Sequence, residues 1–276
     1  MQNTKHIIIG LILSGCFTFI FSINGLANAS PIDLSTWHVQ QYPDPGIHPL
    51  GKWELSDNNE TVTQTVNADP AMYLNGIDQT SYSMDGSWKV NAAPPGGFVD
   101  DDFIGFVFGY QDAGNFYMMD WKRYGQTGGS SYVNLGTALE GFSIKKISAG
   151  SVSDLQARDF WHSEGTDNSS ILASDFSDIN GWNFDTLYDF HLDFTPGEFS
   201  IAVSANDTEI WNVTVNDSSF TSGQFGFYNF SQPLVEYSGF EQTPIVTPEP
   251  ASMLLLLSGL VGLGILRSKF HKSIVR

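Results

Sequence analysis

Asp100-Asp101-Asp102-Phe103-Ile104-Gly105-Phe106-Val107-Phe108-Gly109-Tyr110-Gln111-Asp112 sets three consecutive carboxylates directly before an apolar, aromatic run. The residues from Phe103 to Tyr110 are of the kind that fits a pleated, buried surface, and they read as a strand. The carboxylates need a counter-charge, because two of them about 5 Å apart repel by about 3 kcal/mol at an effective dielectric of about 20. Ca2+ relieves that repulsion, taking about six to eight hard oxygens in a flexible shell. Side chains of an extended chain alternate in direction. Asp100 and Asp102 are therefore expected to share one ion, with Asp101 facing another ion or a loop. The bland alternative is a solvated acidic turn.

Working outward, residues 61–66, 86–90, 115–121, 142–147, 188–194, 199–203, 208–215, 226–230 and 234–237 read as further strands. Gly, Asn, Asp, Ser and Pro fill the gaps, as turn chemistry requires. No helix-period pattern of useful length lies between Ser30 and Gln242, and no repeat of fixed period is evident. Many short antiparallel strands in one domain predict an all-β, two-sheet sandwich or jelly roll. An aromatic share of 14% suits a core between sheets, so most of these rings are expected to be core.

The two ends differ from the middle. Lys5 and His6 precede an apolar run that closes on Ala27-Asn28-Ala29, which predicts a secretory signal over residues 1–29 cleaved after Ala29. Leu13-Ser14-Gly15-Cys16 offers a lipoprotein-type alternative, ranked second because it would leave a greasy mature N-terminus. Cys16 is the only cysteine, so a chain starting at Ser30 must stand on its core or on bound metal instead of disulfides. Residues 30–242 are expected to form the folded domain and 243–250 a linker. An uncharged helix over 251–266 and a basic tail over 267–276 follow. That helix would reach about 24 Å, short against about 30 Å of hydrocarbon. Its basic flank is expected to stay on the cytoplasmic side, which puts the bulk of the chain on the outer side of the membrane. Between residues 30 and 247 stand 7 basic and 29 acidic residues, a net charge of −22. Such a surface repels nucleic acid and favours cations, which excludes nucleic-acid binding.

Pro248-Glu249-Pro250, the short apolar segment and the Arg/Lys tail together resemble the PEP-CTERM sorting signal of Gram-negative bacteria that make exopolysaccharide. The resemblance implies an exosortase-type processing enzyme, at least transient membrane contact through the helix, and display at the cell surface or in the extracellular matrix. An ordinary C-terminal membrane anchor shares the topology and stays open.

The Asp100–Asp112 stretch continues into Asn115-Phe116-Tyr117-Met118-Met119-Asp120-Trp121-Lys122. With Gln64-Thr65-Val66-Asn67-Ala68-Asp69-Pro70 upstream and Trp161-His162, Gly181-Trp182, Gly223-Gln224-Phe225-Gly226-Phe227 and Phe230-Ser231-Gln232 downstream, it resembles the thrombospondin C-terminal domain over roughly residues 52 to 241. The resemblance implies a concanavalin A-like (L-type lectin-like) β-sandwich, Ca2+ binding and extracellular adhesion. It implies that Asp100, Asp101 and Asp102 are calcium ligands, with Asp69 a partner carboxylate from a neighbouring loop. The Asp-rich repeats and cysteines of animal thrombospondins are absent, so their receptor partners do not carry over.

An enzymatic role lacks its constellation. No Glu-x-Asp-x-x-Glu strand of a glycoside hydrolase occurs, and neither His162 nor His191 lies near a Ser or Cys nucleophile motif. His191 sits in an alternating strand, where a structural role is expected. No Cys/His spacing suits zinc. The reading is a non-enzymatic calcium-binding adhesion or matrix-binding protein whose partner is an extracellular polysaccharide or a surface protein. The alternatives are a polysaccharide-processing enzyme on the same fold and a purely structural envelope protein.

Overall fold

A computed structural model describes residues 31–42, 49–97, 99–129 and 134–239. The expected signal, linker, sorting segment and tail, with Ala29, Pro248, Glu249 and Pro250, lie outside the described residues. In chain order the strands begin with β1 (His38–Gln41), β2 (Trp53–Leu55), β3 (Thr61–Gln64), β4 (Ala71–Leu74) and β5 (Tyr82–Val90). Next come β6 (Phe103–Asp112), β7 (Asn115–Lys122), the hairpin β8 (Gln126–Gly129) and β9 (Asn134–Ala138), and β10 (Gly141–Ser148). A five-residue helix α1 (Ala157–Trp161) precedes β11 (Ser169–Phe176) and β12 (Leu187–Thr195). The last strands are β13 (Glu198–Ala205), β14 (Thr208–Val215), β15 (Gln224–Phe230) and β16 (Val235–Gly239).

These strands form two seven-stranded sheets, ordered β1-β4-β15-β6-β7-β10-β11 and β14-β13-β12-β5-β16-β3-β2. The all-β two-sheet sandwich expected from the strand pattern is what the chain adopts. Between the sheets, alternate residues of β6 (Ile104, Phe106, Phe108) meet Trp88 of β5 and Phe190, Phe194 and Phe199 of β12 and β13 in a core built largely of rings. The expectation that most aromatics are core holds.

The two sheets differ on their outer faces. β12 and β13 alternate buried and partly exposed residues, the signature of a sheet with one wet side. β6 is buried from Phe103 through Tyr110, because its sheet is covered on both sides. Its outward residues Phe103, Val107 and Tyr110 join a second apolar cluster with Phe116 of β7, Leu135 of the β8–β9 hairpin, and Ala157, Phe160 and Trp161 of α1. This cover explains why the run beginning at Phe103 is continuously apolar where a half-buried strand would alternate. Gly109, at φ +54°, sits where the β6–β7 register shifts, a backbone state that L side chains rarely adopt.

Candidate functional site

Asp100, Asp101 and Asp102 precede β6 at one end of the covered sheet, and one carboxylate oxygen from each lies within 4.8 Å of the others. The alternation expected of an extended chain does not hold here, because the three residues lie before the first ladder pair of the strand. Asp100 folds back, its Oδ1 accepting the Asp101 N–H at 3.0 Å. All three carboxylates thus face one locus. Asp102 is 4% exposed, which removes the solvated-turn alternative for that residue.

Loops from distant parts of the chain hold the run in place. Asn67 Nδ2 donates to Asp100 Oδ2, and Asn67 Oδ1 accepts from Ser231 Oγ at 3.1 Å. Gln232 Oε1 accepts the Asp102 N–H at 3.1 Å, and Trp182 Nε1 donates to the Asp102 carbonyl at 3.0 Å. These contacts place the Asn67 loop, the Ser231-Gln232 turn and Trp182 around one short acidic segment.

The counter-charge inside the protein is Lys122, fully buried at the end of β7. Its Nζ lies 2.5 Å from Asp102 Oδ1 and 3.3 Å from Asp101 Oδ1. It also stands over the rings of Phe103 and Trp161 at 5.2 and 4.8 Å. Gln126 adds a donor to Asp102 Oδ1 at 3.2 Å. Among the described residues Asp100 pairs with no cation, and burial together with the charge of Asp102 pushes its carboxyl up to about 7. One buried ammonium facing three carboxylates leaves an excess of negative charge. The donors are all hard oxygens, the kind that suits Ca2+.

Asp69 is buried, its N–H donating to the Pro49 carbonyl at 3.0 Å, and lies outside the group of three. The neighbouring Ala68 carbonyl accepts the Ser231 N–H at 2.8 Å, so the Asp69 loop does run beside the site. Lys122, Gln126 and Trp182 are the site residues that reading by residue type passes over. Lys122 and Trp182 stand inside the quoted segments, but nothing local in those segments pairs them with Asp102.

The two histidines are elsewhere. His162 caps α1, and its Nδ1 accepts the Glu164 N–H at 3.0 Å. Burial, with Arg158 nearby, lowers its pKa. His191 stands on the wet face of β12 between Asp85 (2.7 Å) and Asp193 (3.2 Å).

Fold and site together define an all-β, two-sheet sandwich with an oxygen-rich acidic cluster tied to its covered sheet. The chain belongs to the thrombospondin C-terminal region family, whose profile matches residues 48–243. Thrombospondin-1 of Xenopus laevis is 25% identical over 217 residues, covering 75% of this chain and 18% of the relative. Thrombospondin-2 of Gallus gallus is 28% identical over 191 residues, covering 67% and 16%. Cartilage oligomeric matrix protein of Rattus norvegicus is 28% identical over 185 residues, covering 65% and 24%. The chain thus spans less than a quarter of the length of these relatives. Among solved structures, the exoplasmic/lumenal domain of VIP36 in its Ca2+/Man3GlcNAc-bound form has a TM-score of 0.48 at 11% identity, covering 79% of this chain and 87% of that one. Carbohydrate-binding module CBM66 from Bacillus subtilis has a TM-score of 0.44 at 10% identity, covering 74% and 94%. Among the described residues no helix is long and apolar enough to cross a membrane.

Proposed function

We propose that this protein is a non-enzymatic, calcium-stabilised adhesion or matrix-binding module acting outside the cell. The observation that carries this reading is the convergence of Asp100, Asp101 and Asp102 within 4.8 Å, with Lys122 the one buried cation paired to them among the described residues. A resident Ca2+ held by these three carboxylates would neutralise the remaining charge. Membership of the thrombospondin C-terminal region family supports the extracellular setting. The partner on this reading is an extracellular polysaccharide or a surface protein. The Pro248-Glu249-Pro250 motif and its flanks support delivery by an exosortase-type system.

Thermal unfolding with calcium and with a chelator tests the metal. Calcium is expected to raise the midpoint, since a ligand that binds only the native state at about 100 times its Kd adds about 2.7 kcal/mol. Identical midpoints would remove the site. Retention of the purified protein on extracellular polysaccharide, compared in calcium and in chelator, tests the adhesive role. Shortened polysaccharide chains after incubation would instead identify an enzyme.

A further inference from the structure

A second lysine is sealed beneath the cover of the first sheet. Lys145 of β10 is fully buried, and Asp120 of the adjacent β7 is 1% exposed. In the ladder Lys145 faces Met118 and Asp120 faces Ser143, so the two are diagonal neighbours on one face. Lys145 Nζ lies 2.8 Å from Asp120 Oδ2, yet among the described residues this oxygen has no partner that meets hydrogen-bond geometry. With a C–O bond of about 1.23 Å, Nζ stands within about 4 Å of the carboxyl carbon, near the distance of a reacting pair. The ammonium also donates to the Phe160 carbonyl at 2.5 Å and lies 5.2 Å from the centre of the Phe103 ring. Ser143 Oγ donates to the other carboxylate oxygen, Oδ1.

We propose that Lys145 and Asp120 condense into an intramolecular amide cross-link between β7 and β10. Charges taken out of water are costly, and passing one proton from the ammonium to the carboxylate removes both. The neutral amine then attacks the carboxyl carbon. A bond forms between Nζ and Cγ, a carboxyl C–O bond breaks, and the departing hydroxyl takes a proton from the nitrogen to leave as water. No oxidant or co-reactant is needed. Ser143 is placed to donate to the carbonyl oxygen as charge builds on it. Tyr228 is a second buried hydroxyl of the same face, with no hydrogen-bond partner among the described residues. Burial holds its proton on, and the charge of Asp120 adds to that effect.

Lys122 is a poorer candidate because it is shared between Asp101 and Asp102, so one proton transfer would not neutralise its surroundings. Lys145 faces the single carboxylate of Asp120. The cross-link would also supply a covalent tie in a chain whose only cysteine is Cys16.

Mass spectrometry of the purified full chain, denatured and digested, reads the bond directly. The expected product is one branched peptide joining the segments that contain Asp120 and Lys145, lighter by one water than the two peptides summed. Both peptides at full separate mass, after prolonged incubation of the folded protein, would overturn the proposal. So would a water loss that fragmentation maps to any other residue. Asp120→Ala and Lys145→Ala are each expected to abolish the branched peptide. If either fails to fold, the wild-type digest still decides the matter alone.

Discussion

Removing the Lys122 ammonium would leave Asp102 buried beside two further carboxylates and without its ion-pair partner among the described residues. Breaking a buried pair by deleting one partner costs about 3–5 kcal/mol, because the surviving charge stays out of water. Lys122→Met, which keeps length and apolar bulk, is therefore expected to lose that much stability in chelator, read as a lower denaturant midpoint at constant slope. Calcium should restore part of the loss. A change below about 1 kcal/mol in chelator would mean that the pair contributes little to the fold. Asp100→Asn predicts the opposite sign. The carboxyl of Asp100 is pushed up to about 7 by burial and by Asp102. Between about pH 4 and 7 the unfolded chain therefore ionises before the native one, and stability falls as pH rises. The amide should flatten this slope in chelator and shrink the calcium-induced rise in midpoint. A variant with the full wild-type calcium response would take Asp100 out of the ligand set.

At the scale of elements, the rung joining β5 and β12 carries its own pH dependence. His191 is hydrogen-bonded to Asp85, which raises its pKa to about 9, with Asp193 adding from the other ring nitrogen. A raised native pKa means stability that is complete below about 6.5 and lost as pH climbs through about 9. The side chain is 44% exposed, so solvent screening holds the effect below about 1 kcal/mol. Wild type should lose a few degrees of midpoint between pH 6 and 9.5 relative to His191→Gln. Parallel curves would show that the pair adds nothing. His191 lies at an alternating position, which is why its structural role is legible from sequence. Strand legibility follows the same logic. β14 spans Thr208–Val215, the run read from its alternation. β4 (Ala71–Leu74) is buried at every position, and β11 begins with Ser169 and Ser170, so neither alternates cleanly. β8 and β9 are rich in Gly and Thr and take their order from packing against Trp161, whose ring lies 2.6 Å from where a Cβ on Gly128 would be. The acidic run is legible because three adjacent carboxylates are unusual. Its buried partner is not legible, because the Asp102–Lys122 contact comes from strand register.

The whole domain combines a formal charge of −22 over residues 30–247 with two fully buried lysines on one sheet face. So lopsided a surface repels itself, and any salt relieves that repulsion by screening. Calcium could therefore raise the midpoint merely as a divalent counter-ion, without occupying the Asp100–Asp102 locus. The two effects separate by their salt dependence. Surface repulsion fades as the screening length falls from about 10 Å at 0.1 M salt to about 3 Å at 1 M, whereas an ion seated among partly buried ligands is screened much less. The chelated domain is expected to gain stability steadily with NaCl. A calcium increment should persist on top of that gain at high salt, and magnesium at equal ionic strength should give less of it, because Mg2+ sheds water reluctantly and demands a tighter octahedron. If NaCl or magnesium alone reproduces the full calcium shift, the acidic cluster is a charged surface and the calcium-stabilised reading fails. If the increment survives in wild type and vanishes in Asp100→Asn, the ion sits where the three carboxylates meet.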